Sequence, residues 1–393
     1  KEVDKDMINN LKTPKYNYGD LVGWSGIEKQ YESSLRGEKG VSYYQVDAFG
    51  REAGTVEEYD DLISQPGNNI ITTIDIDLQN LVEDIYEDKK GAVIVSKPKT
   101  GEVLVYLSSP DYNPDLFTGL VSSKDWQTVV SDPDRPLLNR VSNGLYPPGS
   151  IYKMIVAVEL LEKKLIDKNW TSFCKGEYEF YDRAHKCWDK NGHGTVNVES
   201  AIAQSCDVFF YEAIQKVRLD DLEKRSMEFA HGVPTNIDLP SEMKGKVPNR
   251  KYMNKLHGRY GWSTGAMLNI SIGQGEILVT PIQMAAYTNI LATRGLAKNL
   301  HIVKPKKNYE SKPILVNSKT WDIIHNSMKQ VVYGNKGTGK LSNPNIPGVE
   351  VLGKTGTAEN PHGETHAWYI GFANYDKIDM ISVVVLVENG GGG

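Results

Sequence analysis

Three short words stand in one order along the chain: Ser150-Ile-Tyr-Lys153, Ser205-Cys-Asp207 and Lys354-Thr-Gly-Thr357. Together they constrain the molecule more than any other feature, although each is weak alone. Ser-x-x-Lys also occurs at Ser96 to Lys99 and at Ser241 to Lys244. Pro98 inside the first copy prevents a helical turn. Ser241 runs into Gly245 and Pro248 and reads as loop. Only Ser150 opens an apolar-periodic helix, predicted to run to about Lys164 behind the stop Pro147-Pro148-Gly149. The i, i+3 spacing puts Ser150 and Lys153 on one helix face, and the helix N-terminus favours a developing oxyanion. The plain alternative for Ser150 is an ordinary N-cap serine. Lys-Thr-Gly also occurs at Lys99 to Gly101, where it is the turn of a predicted hairpin. Lys354 instead closes a strand beginning near Val349. There Gly356 would let another backbone approach closely, and the Lys and Thr donors suit a carboxylate. The plain alternative is an exposed lysine on an edge strand. Ser205 and Asp207 lie between two helical-looking stretches, and the alternative for them is a helix-start pair.

The rest of the chain narrows the class. Its 393 residues allow one large domain and a small one. A hydrophobic share of 39 % and a charged share of 24 % are ordinary for a globular protein. The net charge of −5 gives no footprint for nucleic acid. No apolar run reaches the ~18–20 residues of a membrane span; the longest, Met154 to Leu161, is interrupted by Glu159. The sequence starts at Lys1 without Met or signal segment, and four glycines close it. Residues 1–66 are polar and loop-rich with a helical patch near Ile27 to Leu35, and Pro66-Gly67-Asn68-Asn69 marks a boundary, giving predicted domains 1–66 and 67–393. Ile70 to Ile74 reads as a strand, with a helix from Asp77. Gly91 to Val95 and Val103 to Tyr106 read as a hairpin. A largely helical middle follows, and strands return at Val349 to Leu352, His366 to Phe372 and Met380 to Val387. Strands at both ends of a helical middle predict an α+β fold whose N- and C-terminal strands pair.

Two look-alikes fail. Gly334 to Lys340 resembles a phosphate loop, but Leu341 stands where Ser/Thr is required, and Pro344 and Pro347 forbid the following helix. Asp189 to Gly194 hints at a calcium loop, but Glu199 falls one place short.

The ordered words resemble those of serine β-lactamases and penicillin-binding proteins. Tyr146-Pro-Pro-Gly-Ser-Ile-Tyr-Lys153 is similar to the nucleophile segment of class B penicillin-binding proteins. Gly26 to Tyr31 with Leu35-Arg-Gly37 resembles their pedestal. Thr73-Ile-Asp75 with Leu78-Gln79, Pro98 to Glu102, Ile272-Gly-Gln-Gly275 with Thr280-Pro281, and His366 to Phe372 resemble their transpeptidase domain. The resemblance covers nearly the whole chain and is greatest to elongation-type members. Division-type relatives usually carry Ser-x-Asn where this chain has Ser205-Cys-Asp207.

The resemblance implies a penicillin-binding/serine β-lactamase-like domain: an antiparallel sheet with helices on its faces, an all-helical subdomain, and a truncated N-terminal dimerisation-like pedestal. It implies a peptidoglycan D,D-transpeptidase in cell-wall elongation and shape maintenance, acting on D-Ala-D-Ala stem peptides and acylated by β-lactams. In that role Ser150 is the nucleophile. Lys153, if held neutral, takes its proton. Ser205, in the word that ends at Asp207, relays a proton to the leaving amine. Lys354 and Thr355 bind the substrate carboxylate next to Gly356, and the backbone N–H groups of Ser150 and Thr357 form the oxyanion hole. A RodA-type glycan polymerase, an elongation scaffold and a single N-terminal anchor at the periplasmic face of the inner membrane are implied as well. No organic cofactor is implied.

The chain has three cysteines, an odd number that argues against a pure disulfide framework. The same branch includes members with a zinc site beside the cleft, and Cys187 to Gly194 resembles its ligand segment. The implied set is Cys174, Cys187, His193 and Cys206, spaced C-x12-C-x5-H-x12-C, with His185 as a spare ligand. Buried free thiols or a disulfide are the alternatives. Three rival functions remain: a β-lactamase or β-lactam sensor, a catalytically silent zinc-braced scaffold of wall synthesis, and a division-type transpeptidase.

Overall fold

The computed structural model describes residues 2–3, 5–8, 16–56, 59–117, 121–259, 262, 264–304, 313–361, 363–375 and 379–393. The chain divides into two compact units. The smaller takes residues 1–72, 113–125 and 238–240, and the larger takes the rest.

Local rules build the smaller unit. Short helices Gly26–Gln30 and Glu32–Leu35 are followed by the hairpin Tyr44–Val46 and Glu52–Thr55. The Asp47 carboxylate closes the hairpin turn by accepting the Phe49 and Arg51 amides at 2.8 and 3.0 Å. Val3, Tyr16 and Val22 form a small buried cluster. The Arg36 guanidinium covers the Tyr16 ring at 3.8 Å and pairs with Asp20 at 3.1 Å.

The larger unit is α+β. Its five-stranded antiparallel sheet runs Val103–Ser109, Gly91–Ser96, Asp379–Val387, His366–Tyr375, Val349–Ala358. The N-terminal hairpin thus pairs directly with the last strand, Val93 opposite Val385. Period-two alternation gives the sheet two working faces. Val93 and Val95, with Val105 and Leu107, pack against Tyr86 of the Ile76–Tyr86 helix. The intervening Ile94 and Val384 are also buried, and the Ser96 hydroxyl meets Asn289 of the Pro281–Ala292 helix at 3.1 Å. Helices therefore cover both faces. The Ser318–Tyr333 helix packs against the edge strand Val349–Ala358 and against the Val198–Ala203 helix.

One expectation is corrected. Ile70 to Ile74 is no strand; its Thr73 instead donates its amide to Ile302 O and its hydroxyl to Val103 O, both at 2.6 Å, so the segment spends its donors without forming a ladder. The middle is largely helical, as expected. Two antiparallel ribbons interrupt it, Thr171–Cys174 with Gly194–Asn197 and Glu177–Phe180 with Arg183–Lys186. They are only four residues per strand, too short to carry a clear period.

Candidate active site and metal centre

The three words meet within the larger unit. Gly149 shapes the first. Its φ is +58°, and a Cβ there would lie 2.4 Å from Thr357 O. Its amide donates to Gly273 O at 2.9 Å, and a Cβ on Gly273 would in turn lie 2.1 Å from Gly149 O. Ser150 sits inside a 3-10 turn, Gly149–Tyr152, ahead of the α-helix Lys153–Glu162. This corrects the expectation that Ser150 opens the α-helix, and it removes the N-cap alternative, because no side chain caps either element. Two prolines before a left-handed glycine leave room only for the tighter turn. Ser150 is half-buried, and its hydroxyl has no hydrogen-bond partner among the described residues. The helix behind it is buried on every side from Lys153 to Leu160.

Lys153 is fully buried within this rod. Its Nζ donates to Ser205 O at 2.8 Å and Ser205 Oγ at 3.2 Å, and it makes an ion pair with Asp207 Oδ1 at 2.7 Å. Ser205 lies between the helices Val198–Ala203 and Asp207–Ile214 with φ +55°, a backbone state that costs a non-glycine residue roughly 1–3 kcal/mol. Asp207 does not cap its helix. Its second oxygen accepts the Trp188 amide at 3.1 Å, so one carboxylate joins Lys153 to the Cys187-Trp188 segment.

Lys354 lies on an edge strand, as its alternative reading supposed, yet its side chain is fully buried. Its Nζ donates to Thr355 O at 2.7 Å and Ser205 Oγ at 3.1 Å. Burial, then repulsion from Lys153, pushes Lys354 well below the ordinary lysine range, and Asp207 opposes this. The Ser205 hydroxyl therefore sits between two lysine nitrogens. Gly356 backs onto Ile151, where a Cβ would lie 2.7 Å from Cγ1. Thr355 is half-buried and Thr357 exposed. Gln274 braces this strand, donating from Nε2 to Thr357 O at 3.2 Å. Sequence reading left Gln274, Trp188 and Thr338 without a role. The Ile272-Gly-Gln-Gly275 word was the available signal for Gln274; Trp188 and Thr338 reach the site only through folded contacts.

A second constellation adjoins the first. The ligand atoms of Cys174, Cys187, His193 and Cys206 all lie within 4.8 Å of one another. The ribbons gather them: Cys174 ends the strand Thr171–Cys174 opposite Gly194, which follows His193, and Cys187 follows the strand Arg183–Lys186. His193 Nδ1 stands 3.5 Å from both Cys174 Sγ and Cys187 Sγ. A tetrahedral metal with Zn–S and Zn–N bond lengths would separate its sulfur and nitrogen ligands by about 3.5 Å. The donor set therefore fits a thiophilic ion. All three cysteines are free and buried. Cys206 donates toward Cys187, which lowers Cys187 and, together with burial, raises Cys206. His185 lies outside the cluster, edge-on to Tyr211 with ring centres 5.6 Å apart.

Comparison with known proteins decides the family. Residues 91–393 match the penicillin binding protein transpeptidase domain, and residues 1–72 match the penicillin-binding protein dimerisation domain. The chain belongs to the penicillin-binding protein transpeptidase family. It is 31 % identical to the peptidoglycan D,D-transpeptidase MrdA of Escherichia coli K12, over 100 % of this chain and 65 % of that protein. Identity to the Haemophilus influenzae MrdA is also 31 %, over 99 % of this chain and 64 % of the relative. The chain thus spans somewhat less than two thirds of the length of these relatives. The penicillin-binding protein PBP2 of Helicobacter pylori, solved in complex with MreC, superposes with a TM-score of 0.90 at 33 % identity, covering 100 % of this chain and 73 % of that one. Pseudomonas aeruginosa PBP2 in complex with WCK 5153 gives 0.82 at 33 %, covering 95 % and 80 %.

Proposed function

We propose that this chain carries the transpeptidase of a peptidoglycan-cross-linking enzyme of the elongation type. The observation that supports it most is the Ser205 hydroxyl placed between Lys354 at 3.1 Å and Lys153 at 3.2 Å, the lysine three residues after Ser150. Lys153 in its neutral form is the base for Ser150, and Ser205 Oγ, within reach of both lysines, carries protons between Lys153 and the substrate. Lys153 then takes the Ser150 proton as Ser150 Oγ bonds to the penultimate D-Ala carbonyl. Lys354 supports the carboxylate site from beneath the strand, and the Thr355 and Thr357 hydroxyls face the substrate carboxylate. Collapse of the tetrahedral adduct breaks the C–N bond, and Ser205 delivers a proton to the departing D-Ala amine while taking from Lys153 the one that came from Ser150. The amine of a second stem peptide then attacks the acyl-enzyme, and its proton returns through Ser205 and Lys153 to Ser150 as the ester bond breaks. β-Lactams acylate Ser150 in place of the first peptide.

Zinc is the metal that suits three thiolates and one imidazole, in a closed structural site. When bound it would hold Cys187 and Cys206 together and so brace Ser205 and Asp207 on either side of Cys206. The sequence resemblance adds the remaining elements of the reading: a periplasmic position at the inner membrane through an N-terminal anchor, a RodA-type glycan polymerase, and an elongation scaffold. The MreC complex of the Helicobacter pylori neighbour supports the last of these. Residues 1–66 form the pedestal in this reading, and residues 67–393 the transpeptidase domain.

Intact-protein mass after mixing with a penicillin tests the proposal. A stable gain of one drug mass, absent in Ser150→Ala, is expected. Rapid drug consumption without an adduct would replace it with a β-lactamase, and neither adduct nor consumption would replace it with a silent scaffold.

A further inference from the structure

The rejected phosphate-loop segment lies against the candidate site. The Ser318–Tyr333 helix ends, and Gly334 to Gly339 turn back over it before the 3-10 turn Lys340–Ser342. The turn is tight: the Gly337 amide donates to Gly334 O at 3.0 Å and the Gly339 amide to Val331 O at 2.9 Å. A Cβ on Gly337 would lie 2.3 Å from Val331 O, so only glycine fits there. The loop presents Thr338. Its amide points to Ala203 O at 3.4 Å, two residues before Ser205, and its hydroxyl lies 2.9 Å from Thr355 Oγ1. Thr338 therefore spans the second and third words.

A threonine hydroxyl has one proton and two lone pairs. Thr355 and Thr338 are both half-buried, and each is the other's hydroxyl partner. The pair can run in either direction. If Thr338 donates to Thr355, the Thr355 proton is released toward the cleft. If Thr355 donates to Thr338, an oxygen lone pair faces the cleft instead, and repels an anion. A carboxylate before Thr355 therefore selects the chain Thr338 O–H to Thr355 O–H to carboxylate, in which each bond polarises the next.

We infer that Thr338 is a positioning residue for carboxylate-terminated acyl donors, acting through Thr355. The inference rests on the proposed reading of Thr355 as a carboxylate donor. Thr338 makes the site select a donor ending in a free carboxylate over one ending in a neutral amide. It does so in the binding step, before acylation.

Stopped-flow acylation of the whole chain by two thioester acyl donors, one ending in a free carboxylate and one in the amide, tests this. Thr338→Val removes the hydroxyl at constant volume, and Thr338→Ser restores it; Thr338→Ala replaces the valine variant if that melts early. For the carboxylate donor, the valine variant should weaken binding about 10-fold and leave the limiting acylation rate within about twofold. Serine should recover wild-type binding, and the amide donor should show no difference among the variants. Equal binding of the carboxylate donor by wild type and valine variant overturns the inference. An equal loss for both donors overturns it too, because a merely structural residue behaves that way. A wild-type chain that neither donor acylates overturns the parent reading, and the inference with it.

Discussion

Ser205 combines a left-handed backbone with a hydroxyl shared by two lysines, and the two features separate by substitution. Ser205→Gly relieves roughly 1 kcal/mol of backbone cost and deletes the hydroxyl. Its acylation by penicillin should fall at least ~100-fold, with a thermal midpoint no lower than wild type. A collapse of the midpoint instead would make the hydroxyl structural. Lys354 carries a related expectation. Its pKa is depressed, so the folded chain binds this proton more weakly than the unfolded chain does. Such a group costs stability below its unfolded value, and the cost disappears as pH rises. Lys354→Met should therefore keep or raise the midpoint at pH 7 while abolishing acylation; calorimetry beside mass spectrometry checks both. At this scale the sequence was informative wherever order and spacing carry chemistry, as for Ser150, Lys153 and Lys354. It was silent on Thr338 and Trp188, whose contacts with Thr355 and Asp207 exist only after folding.

Among the elements, the buried rod Lys153–Glu162 and the ribbons beside it carry two expectations. His231 packs against Tyr152 and Tyr287 of this region, with ring centres 5.9 and 5.0 Å away, and burial lowers its pKa to about 4. Between about 4 and the ordinary histidine value of 6.5 the unfolded chain binds the proton and the folded chain does not. Stability is thus complete above 6.5 and is lost as pH falls toward 4, by roughly 3 kcal/mol. His231→Phe should flatten that part of the stability–pH curve; an unchanged slope in chemical denaturation would refute the assignment. The ribbons hold Cys174, Cys187 and His193. Chelation of zinc, verified by elemental mass spectrometry, should lower the melting midpoint and slow acylation together, because Cys206 adjoins both Ser205 and Asp207. A metal-free protein with unchanged melting and acylation would sink this. The long strands and helices were legible from apolar period and capping signals. The ribbons were not, since strands of four residues are too short to leave a periodic trace. The 3-10 turn at Ser150 escaped for a similar reason, as a helical period does not distinguish the first turn of one helix type from another.

For the larger unit as a whole, the decisive feature is the sheet order, which places Asp379–Val387 between Gly91–Ser96 and His366–Tyr375. Ending the chain after Tyr375 would split the sheet into two pieces with unpaired edges. That truncated protein should show no cooperative unfolding transition and no penicillin adduct; a cooperative transition in circular dichroism would refute the sheet's unity. Pairing of terminal strands followed from strands flanking a helical middle, whereas their order did not, because antiparallel neighbours far apart in sequence share no local signal. The order also sets a schedule. Val93 waits for Val385, roughly 300 residues later in the chain. At a synthesis rate of about 5–20 residues per second, that wait is ~15–60 s. For that time one of the most apolar strands of the protein has an open edge, so the nascent chain depends on being held apart from its neighbours until Asp379–Val387 arrives.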